Sequence, residues 1–241
     1  MEATLADTPL HRKLSAAVSL SDEDAMLVDG LVSDRQNAPA GVTLIPEGYV
    51  GDESYVLLAG WAYRFRMFED GRRQISRLFL PGDFIGLNAG YLGVAEQGIA
   101  ALTNVELAKC SAKLLMERLR QSPRLWFGFL WSDTRDRRIM EERVASIGRR
   151  SAHERLAHIL LELYLRLELV GEANADAFTL PLTQEHLADL LGLTSIHVNR
   201  VLRRLKKEGL VATEARTIRL LSRERLMQIA DFDPRYLMHR I

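Results

Sequence analysis

Residues 182–211, LTQEHLADLLGLTSIHVNRVLRRLKKEGLV, contain two helical patterns separated by a short turn. Thr183 is placed to cap the first helix, and Thr194 or Ser195 is placed to cap the second, because short hydroxyl side chains accept hydrogen bonds from the first free backbone amides. Gly192 lies at the turn, where a left-handed backbone favours glycine. The stretch therefore predicts a helix-turn-helix.

The second helix of this stretch, which Gly209 is expected to end, has two chemically different faces when its residues are placed at about 100° each. The inner face comprises Val198, Val201, Leu202 and Leu205. The outward face comprises Ile196, Arg200, Arg203, Arg204 and Lys207, with His197 and Asn199 at its flanks. Arginine can bond the O6 and N7 atoms of guanine, asparagine can bond adenine, and an apolar tip can touch the methyl group of thymine.

The outward face predicts a DNA-binding surface. The expected contact residues are Thr183, Ser195, Ile196, His197, Asn199, Arg200, Arg203, Arg204 and Lys207. Cations near the C-terminal end, such as Arg204, would contact phosphates and position the helix without reading sequence. The alternative meaning of a basic run is a solvated helix face.

Charge is distributed unevenly along the 241 residues, although the formal net charge is zero. Residues 1–111 carry 9 basic and 15 acidic side chains, whereas residues 112–150 carry 10 and 5. The segment Ile196–Lys207 has five basic side chains and no acid, as a local nucleic-acid contact surface would have. The sequence has neither a secretory leader nor a long apolar run, and its single cysteine, Cys110, forms no internal disulfide, so a cytoplasmic protein without membrane contact is expected.

Upstream, residues 42–107 contain short β-rich runs separated by turns, which predicts a roll or sandwich. Asp70 and Gly71 lie between two such runs and predict a hairpin. Short helices are expected within residues 5–33, where Ser21 could cap one of them.

A helix of about 25 residues is expected after Ser122 and Pro123, which suit a cap and a first helical position. Its apolar line comprises Trp126, Leu130, Met140, Val144 and Ile147, with Asp133 and Arg137 on the same line. Such a helix fits a dimer interface with a polar middle or, alternatively, a helix that packs within one chain.

The next helix should begin at Ser151, because Glu154 completes a capping box with it. Residues 172–178 are expected to form a loop. A small hairpin is expected after Gly209, and a final short helix should begin at Ser222.

The chain resembles the Crp/Fnr family of bacterial transcription regulators in two motifs. They are DGRRQISRLFLPGDFIG at residues 70–86 and the helix-turn-helix at residues 182–211. The resemblance implies an α+β fold with an N-terminal double-stranded, jelly-roll-like β-roll, a long dimerisation helix and a C-terminal winged helix-turn-helix. The corresponding divisions are residues 1–121, 122–148 and 149–241.

The resemblance also implies a homodimer on a palindromic DNA site, with half-sites about one helical turn apart. RNA polymerase is an expected partner. The base-reading arginine of the family corresponds to Arg200. Ile196 stands where the family often has glutamate, Asn199 where it has serine or glycine, and His197 where it usually has threonine, so a different base preference is expected.

The sequence leaves the effector open. Leu87 replaces the family's ribose-binding glutamate, and no lysine or arginine occurs from Leu78 to Ala108, so the family's usual binding of cyclic AMP is not expected. One cysteine cannot hold an iron–sulfur cluster, and Cys110 is expected to be a small buried residue rather than a redox sensor. No cofactor is predicted.

Haem binding is disfavoured because no histidine lies in the predicted roll. His11 is the nearest one and is expected at the surface. His153 and His158 have a poor spacing for a metal, and no metal site is predicted. The cluster of Trp126, Phe127, Phe129, Leu130 and Trp131 fits either a pocket for an uncharged effector or, alternatively, ordinary core. A regulator controlled only by its abundance is equally open.

Two alternatives to a regulator belong to other classes of protein. A metal-dependent enzyme barrel needs clustered histidines and carboxylates, yet residues 12–152 contain no histidine, and no phosphate loop or nucleophile elbow occurs, so no enzyme is expected. The remaining alternative is an effector-binding or protein-interaction module of the same roll without specific DNA binding.

Overall fold

The computed structural model describes residues 7–87 and 93–238. It divides into two compact units, of which the first contains residues 7–67 and 76–134 and the second contains residues 68–75 and 135–238. His239 and the first two residues of the predicted helical segment 5–33 lie outside the described residues.

Nine helices and twelve strands are present in the described part of the chain. The helices are α1 (Pro9–Ser15), α2 (Asp22–Leu31), α3 (Ala112–Leu119), α4 (Pro123–Arg149), α5 (Ala152–Leu169), α6 (Gln184–Leu191), α7 (Ser195–Lys207), α8 (Arg223–Ala230) and α9 (Arg235–Met238). The strands are β1 (Arg35–Ala38), β2 (Thr43–Ile45), β3 (Tyr55–Ala59), β4 (Ala62–Met67), β5 (Arg73–Phe79), β6 (Phe84–Ile85), β7 (Gly98–Ala101), β8 (Val105–Lys109), β9 (Ala173–Asn174), β10 (Ala177–Thr179), β11 (Val211–Glu214) and β12 (Thr217–Leu220).

Two four-stranded sheets form the predicted roll. One sheet has the strand order β1-β8-β3-β6 and the other has the order β2-β7-β4-β5. The pairs are antiparallel, with Leu57 opposite Leu107 in the first sheet and Arg64 opposite Ile99 in the second. The expected hairpin joins β4 to β5, where Phe68 donates its amide to the carbonyl of Arg72 over 2.9 Å and Gly71 has a positive φ of 81°.

A buried apolar cluster, termed the inner cluster, lies between the two sheets and receives side chains from both. Its members are Ile45, Tyr55, Leu57, Ala62, Phe79, Ile85, Ala95, Ile99, Ala101, Val105 and Leu107. Alternate residues of a strand point to opposite faces, so Leu57 contributes to this cluster while Val56 and Leu58 face the other side. Burial on both faces explains why the central strand β3, with the sequence YVLLA, is apolar throughout.

Helices cover the outer face of the first sheet. Leu10 and Leu14 of α1, Val28 and Leu31 of α2, and Leu115 of α3 pack with Val56, Leu58, Ala108 and Cys110 in one core. Cys110 is completely buried, as expected, and burial raises the pKa of its thiol to about 12. A protonated, inaccessible thiol is a poor redox sensor.

The helix α1 is attached to the roll by a buried ion pair. Lys13 Nζ lies 2.6 Å from Asp83 Oδ1, and both side chains are almost fully buried. Asp83 also accepts the amide of Leu80 over 2.9 Å, so the glycine-aspartate turn and the helix are held by one carboxylate.

The expectation that His11 lies at the surface is wrong. His11 is buried, with Nδ1 at 2.8 Å from Thr8 Oγ1 and Nε2 at 3.2 Å from the carbonyl oxygen of Ala25. The apolar sides of α1 and α2 enclose the ring, while both of its nitrogens have polar neighbours on those helices. These contacts leave His11 without a free nitrogen for haem iron.

The second unit contains α5 to α9 and a four-stranded sheet with the order β11-β12-β10-β9. The prediction of a loop at residues 172–178 is wrong, because β9 and β10 form a hairpin there. Its turn residues Ala175 and Asp176 have positive φ values of 47° and 59°. Neither is glycine, so the sequence lacked the usual hairpin pattern, while pairing of β10 with β12 stabilises the strand.

Candidate nucleic-acid interface

The helix-turn-helix is present as predicted, and its caps are the expected ones. Thr183 Oγ1 accepts the amide of His186 over 3.2 Å, and Gly192 has a φ of 64° in the turn. Thr194, rather than Ser195, caps α7, because its hydroxyl accepts the amide of His197 over 3.2 Å.

The helix α7 packs through the predicted apolar face. Val198, Val201 and Leu205 are buried, and Leu202 is partly buried. This face contacts α5 and α6. The packing fixes the rotation of α7 about its axis and leaves the opposite face in solvent.

The outward face forms an open depression of about 520 Å³. It is lined by Gln184, Ser195, Ile196, Asn199, Arg200 and Arg203. Ile196 is 73% exposed, although isoleucine has no group that benefits from water. An exposed apolar tip beside an amide and two guanidinium groups matches the chemical variety of base edges in a major groove.

Five of the nine predicted contact residues line this depression, and the other four lie around it. Thr183 is an exposed cap next to Gln184, and His197 is exposed on the first turn of α7. Arg204 and Lys207 are exposed toward the C-terminal end of α7. The structure thus brings together the residues with base-reading chemistry and places the remaining cations farther along the helix.

Arg204 is paired with a glutamate, Glu208, at the C-terminal end of α7. Its Nε donates to Glu208 Oε1 over 2.7 Å, while Glu208 Oε2 lies 3.0 Å from His153 Nε2. The hydrogen bond from Arg204 keeps the pKa of Glu208 below its usual value. Arg204 therefore presents less net positive charge to a ligand than Lys207 does.

One residue of this surface, and one cation in the hairpin that contacts α7, were missed from the sequence. Gln184 lies in the first turn of α6 and lines the depression beside α7. Arg216 is exposed in the turn between β11 and β12. A polar residue directly after the Thr183 cap could have indicated Gln184, whereas the position of Arg216 depends on how the hairpin packs against α7 and β10.

A buried charged cluster joins the last turns of α4 to α5. Arg143 Nη2 and Arg166 Nη1 lie 3.1 and 3.2 Å from Glu162 Oε1, and all three side chains are buried. Burial raises the pKa of Glu162, but the two guanidinium groups more than offset this effect, so the net shift is downward. Since an unpaired buried charge is strongly destabilising, this cluster fixes α5 against the end of α4.

His158 lies beside this cluster and is enclosed by aromatic rings. Its ring centroid is 4.8 Å from that of Phe232 and 5.9 Å from that of Tyr236, with which it stacks. Burial lowers the pKa of His158 to about 4, and the charges of Arg150 and Arg143 act in the same direction. The imidazole is therefore neutral near pH 7.

Two family models match the chain. The model described as a Crp-like helix-turn-helix domain matches residues 154–229, and the model described as a cyclic nucleotide-binding domain matches residues 35–122. Together they cover more than half of the sequence. The first includes the whole depression on α7, and the second includes the two sheets of the roll.

Characterised relatives cover most of the chain. The nitrogen fixation regulation protein FixK of Bradyrhizobium diazoefficiens is 33% identical over 201 residues, which is 81% of this chain and 81% of that protein. The transcriptional activator protein FnrL of Cereibacter sphaeroides is 30% identical over 213 residues, covering 87% of this chain and 84% of that protein.

A solved structure agrees with the fold. The structure of FixK2 from Bradyrhizobium japonicum superposes with a TM-score of 0.72 at 26% identity, covering 81% of this chain and 96% of that one. The roll, the long helix and the helix-turn-helix therefore occur in the same order as in a regulator of known structure. The chain belongs to the Crp/Fnr family of transcription regulators, with a helix-turn-helix as its DNA-binding domain.

Proposed function

We propose that the protein is a cytoplasmic, sequence-specific regulator that binds palindromic double-stranded DNA as a homodimer and has no enzymatic activity. The outward face of α7 carries this proposal, because it places Ile196, Asn199 and Arg200 together on an exposed first half of the helix. In helix-turn-helix proteins the N-terminal residues of this helix contact base edges in the major groove.

The residues divide by chemistry into base-reading and positioning groups. Arg200 bonds guanine, Asn199 bonds adenine, and Ile196 contacts a thymine methyl group. Arg203, Arg204 and Lys207 contact phosphates, together with the hydroxyl groups of Thr183 and Ser195 and the ring of His197. Gln184, which lines the depression, and the exposed Arg216 are proposed as further contacts.

In the proposed homodimer, the second copy of the chain binds along a line of exposed apolar side chains on α4. Trp126 is 44% exposed and Val144 is 70% exposed, and Leu130 and Ile147 on the same line are also exposed. Large apolar side chains at helical spacing fit the seam of a helix pair. Of the predicted aromatic pocket, Phe129 packs on the core with its ring 5.5 Å from that of Phe84, whereas Trp126 and Leu130 face solvent in a single chain.

The other parts of the proposal concern organisation and partners. We retain the division into an effector domain at residues 1–121, a dimerisation helix at 122–148 and a DNA-binding domain at 149–241. RNA polymerase is the proposed protein partner, and cyclic AMP of the usual family type is not the proposed effector. Within residues 7–87 and 93–238, no helix combines the length and apolar character needed to cross a membrane.

Selection of bound duplexes from a random DNA pool at physiological salt tests the proposal. Purified full-length protein is expected to recover one palindromic motif, and the Arg200→Ala variant is expected to recover a motif with relaxed preference at one base pair of each half-site. The Arg149→Ala variant, which removes an exposed cation outside α7, serves as the control. If Arg200→Ala enriches the same motif as the unaltered protein, Arg200 is not a base reader. If the unaltered protein enriches no motif, a module without specific DNA binding becomes the better assignment.

A further inference from the structure

Glu208, the residue that follows α7, contacts two side chains at once. Its Oε1 lies 2.7 Å from Arg204 Nε, and its Oε2 lies 3.0 Å from His153 Nε2 on α5. Because the hydrogen bond from Arg204 keeps the pKa of Glu208 below its usual value, the carboxylate is ionised near pH 7 and acts only as an acceptor. His153 therefore donates through Nε2, and the three side chains form a line of hydrogen bonds from α5 to the end of α7.

The carboxylate of Glu208 is fixed from two directions. Its backbone amide donates to the carbonyl of Arg204 over 2.9 Å, which keeps the residue in the last turn of α7. His153, whose side chain is only 13% exposed, holds the carboxylate from the side of α5. Since α5 and α7 pack against each other, the position of Oε1 is set by the packing of these two helices.

Arg204 is held at one edge of its guanidinium group and is open at the other. This group is planar, with its Nε–H and its two Nη groups arranged in a rigid fork. The bond to Glu208 uses Nε, and the side chain of Arg204 is 63% exposed. Among the residues that the structure describes, none bonds Nη1 or Nη2 of Arg204. A phosphate group can accept two parallel hydrogen bonds from this open edge.

We propose that His153 and Glu208 are positioning residues, which orient the Nη groups of Arg204 toward a DNA phosphate. This proposal rests on the assignment of Arg204 as a phosphate contact under the proposed function. A long side chain loses rotamer freedom when it binds, and a hydrogen bond that already fixes the side chain reduces this loss. Glu208 thus has two opposite effects on DNA binding, because its charge weakens the phosphate contact while its oxygen orients the arginine.

Two substitutions of similar length separate these effects. Glu208→Gln and Glu208→Met both remove the charge, but only glutamine keeps an oxygen that accepts the Nε–H of Arg204. Glu208→Gln is expected to bind a duplex of random sequence roughly threefold to tenfold more tightly than Glu208→Met, the range for one net hydrogen bond. Fluorescence anisotropy at several salt concentrations measures the affinities. The slope of log affinity against log salt should be steeper for Glu208→Gln, by up to about one unit.

A second pair of variants tests His153. His153→Gln keeps an N–H donor for Glu208 Oε2, whereas His153→Leu has no donor, and neither variant carries a charge at this position. His153→Gln is therefore expected to bind the random duplex more tightly than His153→Leu. The difference should be smaller than that between the two Glu208 variants, because His153 acts on Arg204 only through Glu208.

Both effects are expected to pass through Arg204. In an Arg204→Ala background, Glu208→Gln and Glu208→Met should bind equally, and the two His153 variants should also bind equally. In a Lys207→Ala background, which removes a neighbouring cation instead, both differences should persist. A loss of helix stability alone would lower affinity in both backgrounds alike.

Nuclear magnetic resonance of the free, full-length protein gives a measurement that needs no DNA. The Arg204 Nε–H signal, assigned by its absence in Arg204→Lys, is expected to show restricted picosecond-to-nanosecond motion in the unaltered protein and in Glu208→Gln. The same group should move freely in Glu208→Met. If Glu208→Met folds poorly, the comparison of His153→Gln with His153→Leu replaces it.

Three results would overturn the positioning role. They are equal binding by Glu208→Gln and Glu208→Met, a difference between them that survives in the Arg204→Ala background, and equal mobility of the Arg204 Nε–H group in both. An unchanged salt slope in Arg204→Ala would also overturn it, because Arg204 would then contact no phosphate. The proposed function fails by a different result, the recovery of no DNA motif by the unaltered protein.

Discussion

Arg155 Nη1 donates a hydrogen bond to the backbone carbonyl of Leu191 over 3.0 Å. The same guanidinium donates through Nη2 to the carbonyl of Ile147 over 2.7 Å and through Nε to that of Arg150 over 2.8 Å. One side chain thus satisfies carbonyl groups at the C-terminal ends of α4 and α6, where free acceptors and the helix dipole favour a cation. It connects the long helix to the first helix of the helix-turn-helix.

Arg155→Ala is expected to lower the free energy of unfolding by about 1–3 kcal/mol, because several carbonyls lose their charged donor. Urea denaturation followed by circular dichroism measures this loss. Arg155→Lys keeps the positive charge but has only one donor nitrogen, so it cannot bond all three carbonyls at once. This variant should therefore recover only part of the lost stability. The exposed Arg149 provides the control, and equal midpoints for Arg155→Ala and Arg149→Ala would contradict the bridging role.

Arg200→Ala is expected to reduce affinity for the selected site by about 1–3 kcal/mol while leaving affinity for random DNA nearly unchanged. The reason is that a paired contact with guanine distinguishes that base from the others. Fluorescence anisotropy with the selected duplex and a scrambled duplex at one salt concentration measures both values. Equal losses on the two duplexes would identify Arg200 as a phosphate contact.

Ile196→Ala is expected to remove discrimination between thymine and uracil at one position of each half-site. A thymine methyl buried against an apolar side chain contributes about 0.8 kcal/mol. Binding of the unaltered protein should therefore weaken by that amount when uracil replaces thymine, whereas Ile196→Ala should bind both duplexes equally. Comparing two proteins on two duplexes isolates the methyl contact from other effects of the substitution. If Ile196→Ala still binds the uracil duplex more weakly, Ile196 does not contact the thymine methyl group.

Arg204→Ala is expected to weaken binding to every sequence and to reduce the slope of log affinity against log salt by about one unit. Because Glu208 bonds Arg204, the Glu208→Gln variant should bind all sequences more tightly. Salt titrations of the unaltered protein and the two variants test both statements, with Lys207→Ala as a matched phosphate-contact variant. An Arg204 effect restricted to one sequence would place this residue among the base readers.

The stability of the second unit is expected to depend on pH through His158. Burial lowers its folded-state pKa to about 4 from an ordinary value of 6.5, so the folded state binds fewer protons between these values than the unfolded state does. The stabilising contribution is complete above pH 6.5 and is lost as pH falls toward 4, to a limit of about 3 kcal/mol. The free energy of unfolding of His158→Gln should depend less on pH than that of the unaltered protein. The exposed His197→Gln variant is the control and should keep the pH dependence of the unaltered protein. Identical slopes for His158→Gln and the unaltered protein would exclude His158 as the source.

The helix-turn-helix was predictable because its information is local. The Thr183 cap, the glycine at position 192 and the apolar spacing of Val198, Val201 and Leu205 each specify the backbone or the packed face without distant partners. The outward position of Ile196 followed from the same periodicity. Base contacts, by contrast, stay predictions, because they depend on the sequence and shape of the bound DNA as well as on α7.

Features that depend on distant contacts were missed. His11 is buried because α1 packs on α2, and the sequence near His11 does not indicate that packing. The strand β10 forms because β12 pairs with it from about 40 residues away along the chain. Arg64 and Arg77 both stack on the ring of Phe79 only after β4 and β5 are brought together by the hairpin, so neither position alone predicts the shared contact.

The outward side chains of α7 take no part in the core of the helix-turn-helix. Thr194 caps the helix, and Val198, Val201 and Leu205 hold it in place, whereas Ile196 extends into solvent. A substitution at Ile196 is therefore expected to alter the preferred operator at little cost to folding. After gene duplication, one or two such changes would be enough to give each copy its own set of promoters, so the separation of the two faces makes this regulator easy to diversify during evolution.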